Sequence, residues 1–171
     1  MIRNFGDKAP VIDSSAFVAD NGTIVGDVHI GARSSIWFGT VIRGDVHHVR
    51  IGDETSIQDN SVIHVTHDRH PAIIGSRCTV GHGVILHGCT VGDEVIIGMG
   101  AIILDHAEIG SQCIIGAGAL VTPGAKIPAR HLAVGSPARV KRPLTDEEFE
   151  WIRVSAAHYV ELTARYRRES P

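Results

Sequence analysis

The sequence predicts a parallel β-solenoid closed by one C-terminal helix. Three observations carry that prediction: an aliphatic residue at nearly every sixth position, a glycine directly after many of them, and a change to helical spacing near the end. A period of six matches neither the 3.6 of a helix nor the 2 of a strand. It matches a coil in which short strands alternate with corners and each turn of chain lies on the one before.

The repeat starts at Ile12 and continues through Val18, Ile24, Ile30, Ile36 and Ile42. It resumes at Ile51, Ile57 and Ile63, and again at Ile74, Val80 and Leu86. After one five-residue step it runs through Val91, Ile97, Ile103, Ile109, Ile115, Val121 and Ile127, and it fades at Ala133. Glycine follows the aliphatic residue at Gly31, Gly52, Gly75, Gly81, Gly92, Gly98, Gly110 and Gly116. A β-sandwich with chance spacing does not explain so long a run in phase. The extra residues between Ile42 and Ile51, and between Ile63 and Ile74, predict loops at 43–50 and 64–73, outside the coil and near a binding face.

Beyond the repeat the period changes. Thr145 and Glu148 stand in capping-box spacing, with Leu144 and Phe149 placed as a hydrophobic staple. Phe149, Ile152, Ala156, Tyr159, Thr163 and Tyr166 recur at threes and fours, which gives a helix one apolar stripe for docking. The expected division is a β-solenoid over residues 1–140 and an amphipathic helix packed on it over 141–171.

Composition narrows the function classes. At 171 residues the chain is long enough for one domain with a real core. A net charge of −3 gives no reason to expect nucleic acid or an anionic membrane as a partner. No stretch reaches the roughly 18 apolar residues of a membrane span, and the N-terminus lacks an apolar core of signal-peptide length. Three cysteines without CxxC spacing argue against a disulfide framework or a thiolate zinc site. The expected protein is soluble and cytoplasmic, with inert thiols.

The [IV]-G-x-x-x-[IV] pattern over residues 12–133, followed by a helix, resembles the left-handed parallel β-helix proteins of the hexapeptide class. That resemblance implies three units per coil, a triangular prism, left-handedness and a homotrimer. With three units per coil, every third unit lies on one face at strand spacing. Arg43, His64 and His87 each follow the aliphatic residue of such a unit, so they form one column. Asp59 and His82 share a column on another face, with Gln58 beside Asp59. His64 and His87 are therefore expected to be neighbours able to share an ion. His82 would have to come from an adjacent subunit.

Three neutral imidazoles with an open fourth position suit a catalytic zinc ion, which generates a nucleophile from water at neutral pH. The segments "IRGDVHHVRIGDETSIQDNSVIHV" and "VGHGVILHGCTVGDEVIIGMGAIILD" resemble the γ-class carbonic anhydrases over nearly the whole chain. The resemblance implies reversible hydration of CO2 to bicarbonate. It also implies that His64, His82 and His87 bind the metal, Zn²⁺ with Fe²⁺ or Co²⁺ also acceptable to imidazole. Arg43 and Asp45 fall on the family's RGD element of inter-subunit ion pairs. Gln58 falls on the glutamine that orients the reactive water, and Asp59 on its acidic partner.

Two features depart from that pattern. The glutamate-bearing acidic loop of fuller members is replaced by the short "HVTHDRHP", whose His67 and His70 are candidates for carrying protons. Ser56 stands where relatives often have asparagine, near the expected bicarbonate position. Tyr159 could reach the pocket or simply pack. Competing functions on the same fold are a CoA-dependent hexapeptide acyltransferase, a metal-assisted thioesterase, and a non-catalytic trimer holding zinc as a staple. The first wants a single catalytic histidine and no metal column, and the last wants four protein ligands.

Overall fold

The computed structural model describes residues 1–169. The chain folds as a left-handed parallel β-helix of about 7 turns followed by one helix. The six-residue period is resolved into three faces. Face A stacks Ile12, Ile30, Ile51, Ile74, Val91, Ile109 and Ile127. Face B stacks Val18, Ile36, Ile57, Val80, Ile97, Ile115 and Ala133. Face C stacks Ile24, Ile42, Ile63, Leu86, Ile103 and Val121. Most of these side chains are fully buried and make up one continuous core. Strand alternation fixes this arrangement: if one residue points into the prism, its two neighbours point out.

The corners turn on residues in left-handed backbone conformation. Where face A passes into face B, six of them are stacked: Arg33, Glu54, Arg77, Glu94, Gln112 and Arg130, with φ from 54° to 63°. Each amide from Glu54 onward donates to a carbonyl one coil earlier, for example Arg77 N to Asp53 O at 2.8 Å. The side chains join along the same edge. Arg33 pairs with Glu54, Arg77 with Glu94 at 3.2 Å, and Gln112 donates to Glu94 at 2.9 Å.

The two interruptions differ. The extra residues after Ile42 do not make a loop. Strand Val41–Ile51 runs unbroken through the corner beside Thr23–Ile30, with an irregularity between Gly26 and Val28. The reason is close backbone approach: a Cβ on Gly44 would lie 2.4 Å from the carbonyl oxygen of Asp27. Without side chains at that point, pairing continues around the bend. Residues 65–71 do leave the coil as a turn, closed by a bridge between Thr66 and His70.

At the C-terminal end the chain doubles back. Strand His131–Gly135 completes face B and pairs antiparallel with Ala138–Pro143. The helix Asp146–Glu169 follows, started by the expected capping box: Glu148 N donates to Thr145 Oγ1 at 3.2 Å, and Thr145 N donates to Glu148 Oε2 at 3.0 Å. It buries Ile152, Ala156 and Thr163 on face B, and Thr79 and Ser155 hydrogen-bond across that contact at 2.9 Å. No helix among the described residues is long and apolar enough to cross a membrane.

Candidate metal centre

His64 and His87 end their strands at the edge between faces C and A, directly opposite each other in register. The Nδ1 of His64 lies 3.2 Å from the Nε2 of His87. Each ring has its other nitrogen on a carboxylate. His64 Nε2 is 3.1 Å from Asp45 Oδ1, and His87 Nδ1 is 3.1 Å from Asp105 Oδ1.

Both carboxylates are held acidic. Burial pushes Asp45 up, but hydrogen bonds from Arg43 and His64 outweigh it and leave the carboxyl below its ordinary value. Burial likewise raises Asp105, and Thr66 with His87 more than offsets it. An ionised carboxylate only accepts, so the ring nitrogen facing it carries the proton. Burial also disfavours the charged form of His64 and lowers its pKa, against the opposing pull of Asp45. In their neutral forms the two rings therefore point bare lone pairs at each other. Either one extra proton or a cation must lie between them.

The donor set fits a metal. Ligating histidines typically give their second nitrogen to a carboxylate, which fixes the tautomer and raises basicity. Zinc–imidazole bonds of 2.0–2.1 Å at a tetrahedral angle put two ligand nitrogens about 3.3–3.4 Å apart. The observed 3.2 Å is close to that.

His82 is elsewhere. It sits on the edge between faces B and C, above Asp59, with Nδ1 2.9 Å from Asp59 Oδ2. This pair has the same design, a carboxylate on one nitrogen and Nε2 left over. Among the described residues no three of His, Cys, Asp and Glu are placed to hold one metal ion. One chain thus brings His64 and His87 together and leaves His82 on the other side of face C.

The remaining expected residues divide. Arg43 stands in the column below His64 and pairs with Asp45 of the same chain. Gln58 is buried next to Asp59. Ser56 is buried as well and accepts a hydrogen bond from Trp37 Nε1 at 2.9 Å, which places it behind an indole and away from the histidine column. His67 is exposed and pairs with Asp68 at 3.1 Å. His70 packs over Gly88, where a Cβ would meet the His70 Cβ at 2.9 Å and Asp105 Oδ1 at 2.5 Å. Its ring lies 5.3 Å from that of His106. Tyr159 packs on Trp37, with ring centroids 6.1 Å apart. Asp105 and Thr66 were not anticipated. The signal was present, because Asp105 stands two residues after Ile103, one coil beyond His87 on the same edge.

A "Bacterial transferase hexapeptide (six repeats)" family model matches residues 88–123. A carbonic anhydrase of Geobacillus kaustophilus is 50% identical over 98% of this chain and 91% of its own length. The mitochondrial γ carbonic anhydrase 1 of Arabidopsis thaliana is 47% identical over 99% of the chain. The chain belongs to the γ carbonic anhydrase family. It spans 63% of the length of that plant relative. A solved Bacillus cereus structure that carries an acetyltransferase name superposes with a TM-score of 0.96 at 48% identity, over 98% of this chain and 96% of that one. Family membership thus coexists with two functional names among near relatives, and the choice between them rests on the site.

Proposed function

We propose that the chain is a metal-dependent carbonic anhydrase, hydrating CO2 reversibly at a Zn²⁺ site shared between subunits of a homotrimer. The observation that carries this reading is the facing pair of histidine nitrogens, each imidazole backed by an ionised carboxylate. An acyltransferase needs one histidine free to take a proton from its acceptor. Here His64 and His87 spend both nitrogens on carboxylates and on each other, and the remaining nitrogen of His82 is the one the shared site uses as its third ligand.

Face C supports the reading of a shared site. Its outward column is Thr23, Val41, Val62, Ile85, Ile102 and Leu120, with Val62 and Ile85 38% and 37% exposed. The matching outward column of face A is more polar, with His29, Arg50, Thr90, Glu108 and Lys126 beside two aliphatic residues, Val11 and Ile73. An aliphatic stripe of this kind on a water-facing sheet favours burial against a copy of itself. His64 and His87 border it on one side and His82 on the other. Three chains joined around face C bring one chain's pair to the next chain's His82.

In this arrangement Asp45, Asp105 and Asp59 fix the tautomers of His64, His87 and His82. A metal ion held by these three histidines would supply the Lewis acidity that makes water a nucleophile toward CO2 at neutral pH. Gln58 orients the reacting water, and Arg43, charged and partly exposed, favours the bicarbonate anion at the same edge. His67 and His70, on the turn beside the column, accept protons for release. Cys78 and Cys89 take no part, because burial pushes both thiols up to about 12. Three free buried cysteines suit a reducing compartment, and we assign the cytoplasm.

The test combines metal counting, solution mass and stopped-flow CO2 hydration. The reading expects about one metal per chain, a trimer, and hydration lost in His82→Ala. Metal bound without hydration would move the function to another carbonyl substrate, such as a thioester. A chain without metal would end the reading.

A further inference from the structure

We infer that the hollow between the end of the helix and the first coils binds a small organic phosphate. The hollow has a volume of about 410 Å³ and gathers three guanidiniums from distant parts of the chain. Arg33 comes from the solenoid, and Arg167 and Arg168 come from the last turn of the helix. The floor is the stretch of helix that carries Val160, Thr163 and Ala164. Ser15 closes the hollow at the corner, its hydroxyl accepting from the Arg33 amide at 2.9 Å. Among the described residues no carboxylate lines it.

Two of the three arginines have an ordinary reason to be there. Cations in the last turn suit the helix dipole, which accounts for Arg167 and Arg168. It does not account for Arg33, which turns a solenoid corner at φ 54° and brings a third positive charge to the same place. Like charges gathered in this way repel one another. Their donors are also largely unspent. Glu54 takes Nε and one terminal nitrogen of Arg33, and the Ser14 carbonyl takes one terminal nitrogen of Arg167 at 3.0 Å. Arg168 pairs with no described residue. A guanidinium carries five N–H donors, so most of those facing the hollow remain available.

Charge and shape select the occupant. Two carboxylates act from outside the lining. Glu54 pairs with Arg33, and Asp13 is held below its ordinary value by the Ser15 hydroxyl and amide, with Arg167 and Arg33 adding to the effect. Three positive charges against two negative ones leave the hollow positive. A phosphate monoester brings close to two negative charges at neutral pH and three acceptor oxygens for forked donors. A carboxylate brings one charge and fewer acceptors. The helix floor takes the organic part, which inorganic phosphate lacks. The hollow also stays open in the assembly: it lies on the edge between faces A and B, opposite face C, so subunits joined through face C leave it uncovered.

The experiment is calorimetric titration of the assembled protein at about 0.15 M salt, before and after treatment with a chelator. The probes are phenyl phosphate, inorganic phosphate and benzoate. Phenyl phosphate is expected to saturate near one per chain in both metal states, with the other two at least about tenfold weaker. Arg168→Gln removes a charge that no contact with a described residue uses, and it should weaken phenyl phosphate about tenfold. Arg165→Gln is the control, because Arg165 pairs with Glu169 and does not line the hollow; its effect should stay under about twofold. Equal losses in the two variants would overturn the proposal and leave only diffuse charge at the helix end. Binding that vanishes with the chelator would also overturn it and put the anion at the histidines, as would no binding at this salt concentration. None of these readouts involves turnover, so a protein that takes phenyl phosphate but does not hydrate CO2 refutes only the carbonic anhydrase reading.

Discussion

Two edges of the same prism use one repeat in opposite ways. At the edge between faces A and B, stacking places Arg33, Glu54, Arg77, Glu94, Gln112 and Arg130 in a line that satisfies itself. At the edge between faces C and A the same stacking places His87 against His64, with Arg43 below, so groups of like character meet. The first edge completes its bonds within the chain. The second is complete only when something positive enters between two imidazoles. An unfinished edge on a regular scaffold marks the site more clearly than a cavity does: a broad hollow on face A, lined by His70, His106 and Lys126, does not include His64 or His87.

The comparison breaks most sharply at the histidines. His64→Ala or His87→Ala should take bound metal from about one per chain to none, by elemental analysis, with circular dichroism unchanged. A variant that keeps its metal would show that the edge was never unfinished. Next come the carboxylates behind the rings: Asp45→Asn or Asp105→Asn should weaken metal binding about 10–100-fold in a chelator competition. Unchanged affinity would make those pairs mere packing.

The self-satisfied edge should respond in stability only. Glu54→Lys sets three cations in succession and should cost about 1 kcal/mol, or about 3 °C in Tm, with metal content untouched. The smallest effect belongs to the helix start. Two hydrogen bonds from Arg142 and one from the Thr145 amide hold Glu148 down to about 2. A depressed carboxyl stabilises the fold above its unfolded value of 4.5, and that contribution is lost as pH falls toward 2. Glu148→Gln should therefore flatten the acid limb of helix unfolding between those values, read by ellipticity. An identical limb would show that the cap is formed without the charge.

Much of this was legible because the repeat is arithmetic. Counting by sixes alone places His87 over His64 and His82 over Asp59, and the register agrees in both cases. Counting failed where the backbone could do something a count does not register. The extra residues after Ile42 read as a loop, yet Gly26 and Gly44 let two strands approach and stay paired. The packing of the helix aromatics was out of reach for a different reason. Tyr159 and Tyr166 were on the helix stripe, but which rings they would meet depends on where the helix lands.

The antiparallel turn at His131–Pro143 has a consequence beyond finishing face B. A stack of parallel coils has no intrinsic last member, since its final strands offer the next chain the same row of amides and carbonyls that the previous coil offered them. By reversing direction there, this chain presents a mismatched strand to any newcomer. Faces A and C end in strands only two residues long, Lys126–Ile127 and Leu120–Val121. A molecule whose growth rule is simple repetition thus carries its own terminator, and without those few residues its natural fate would be a filament.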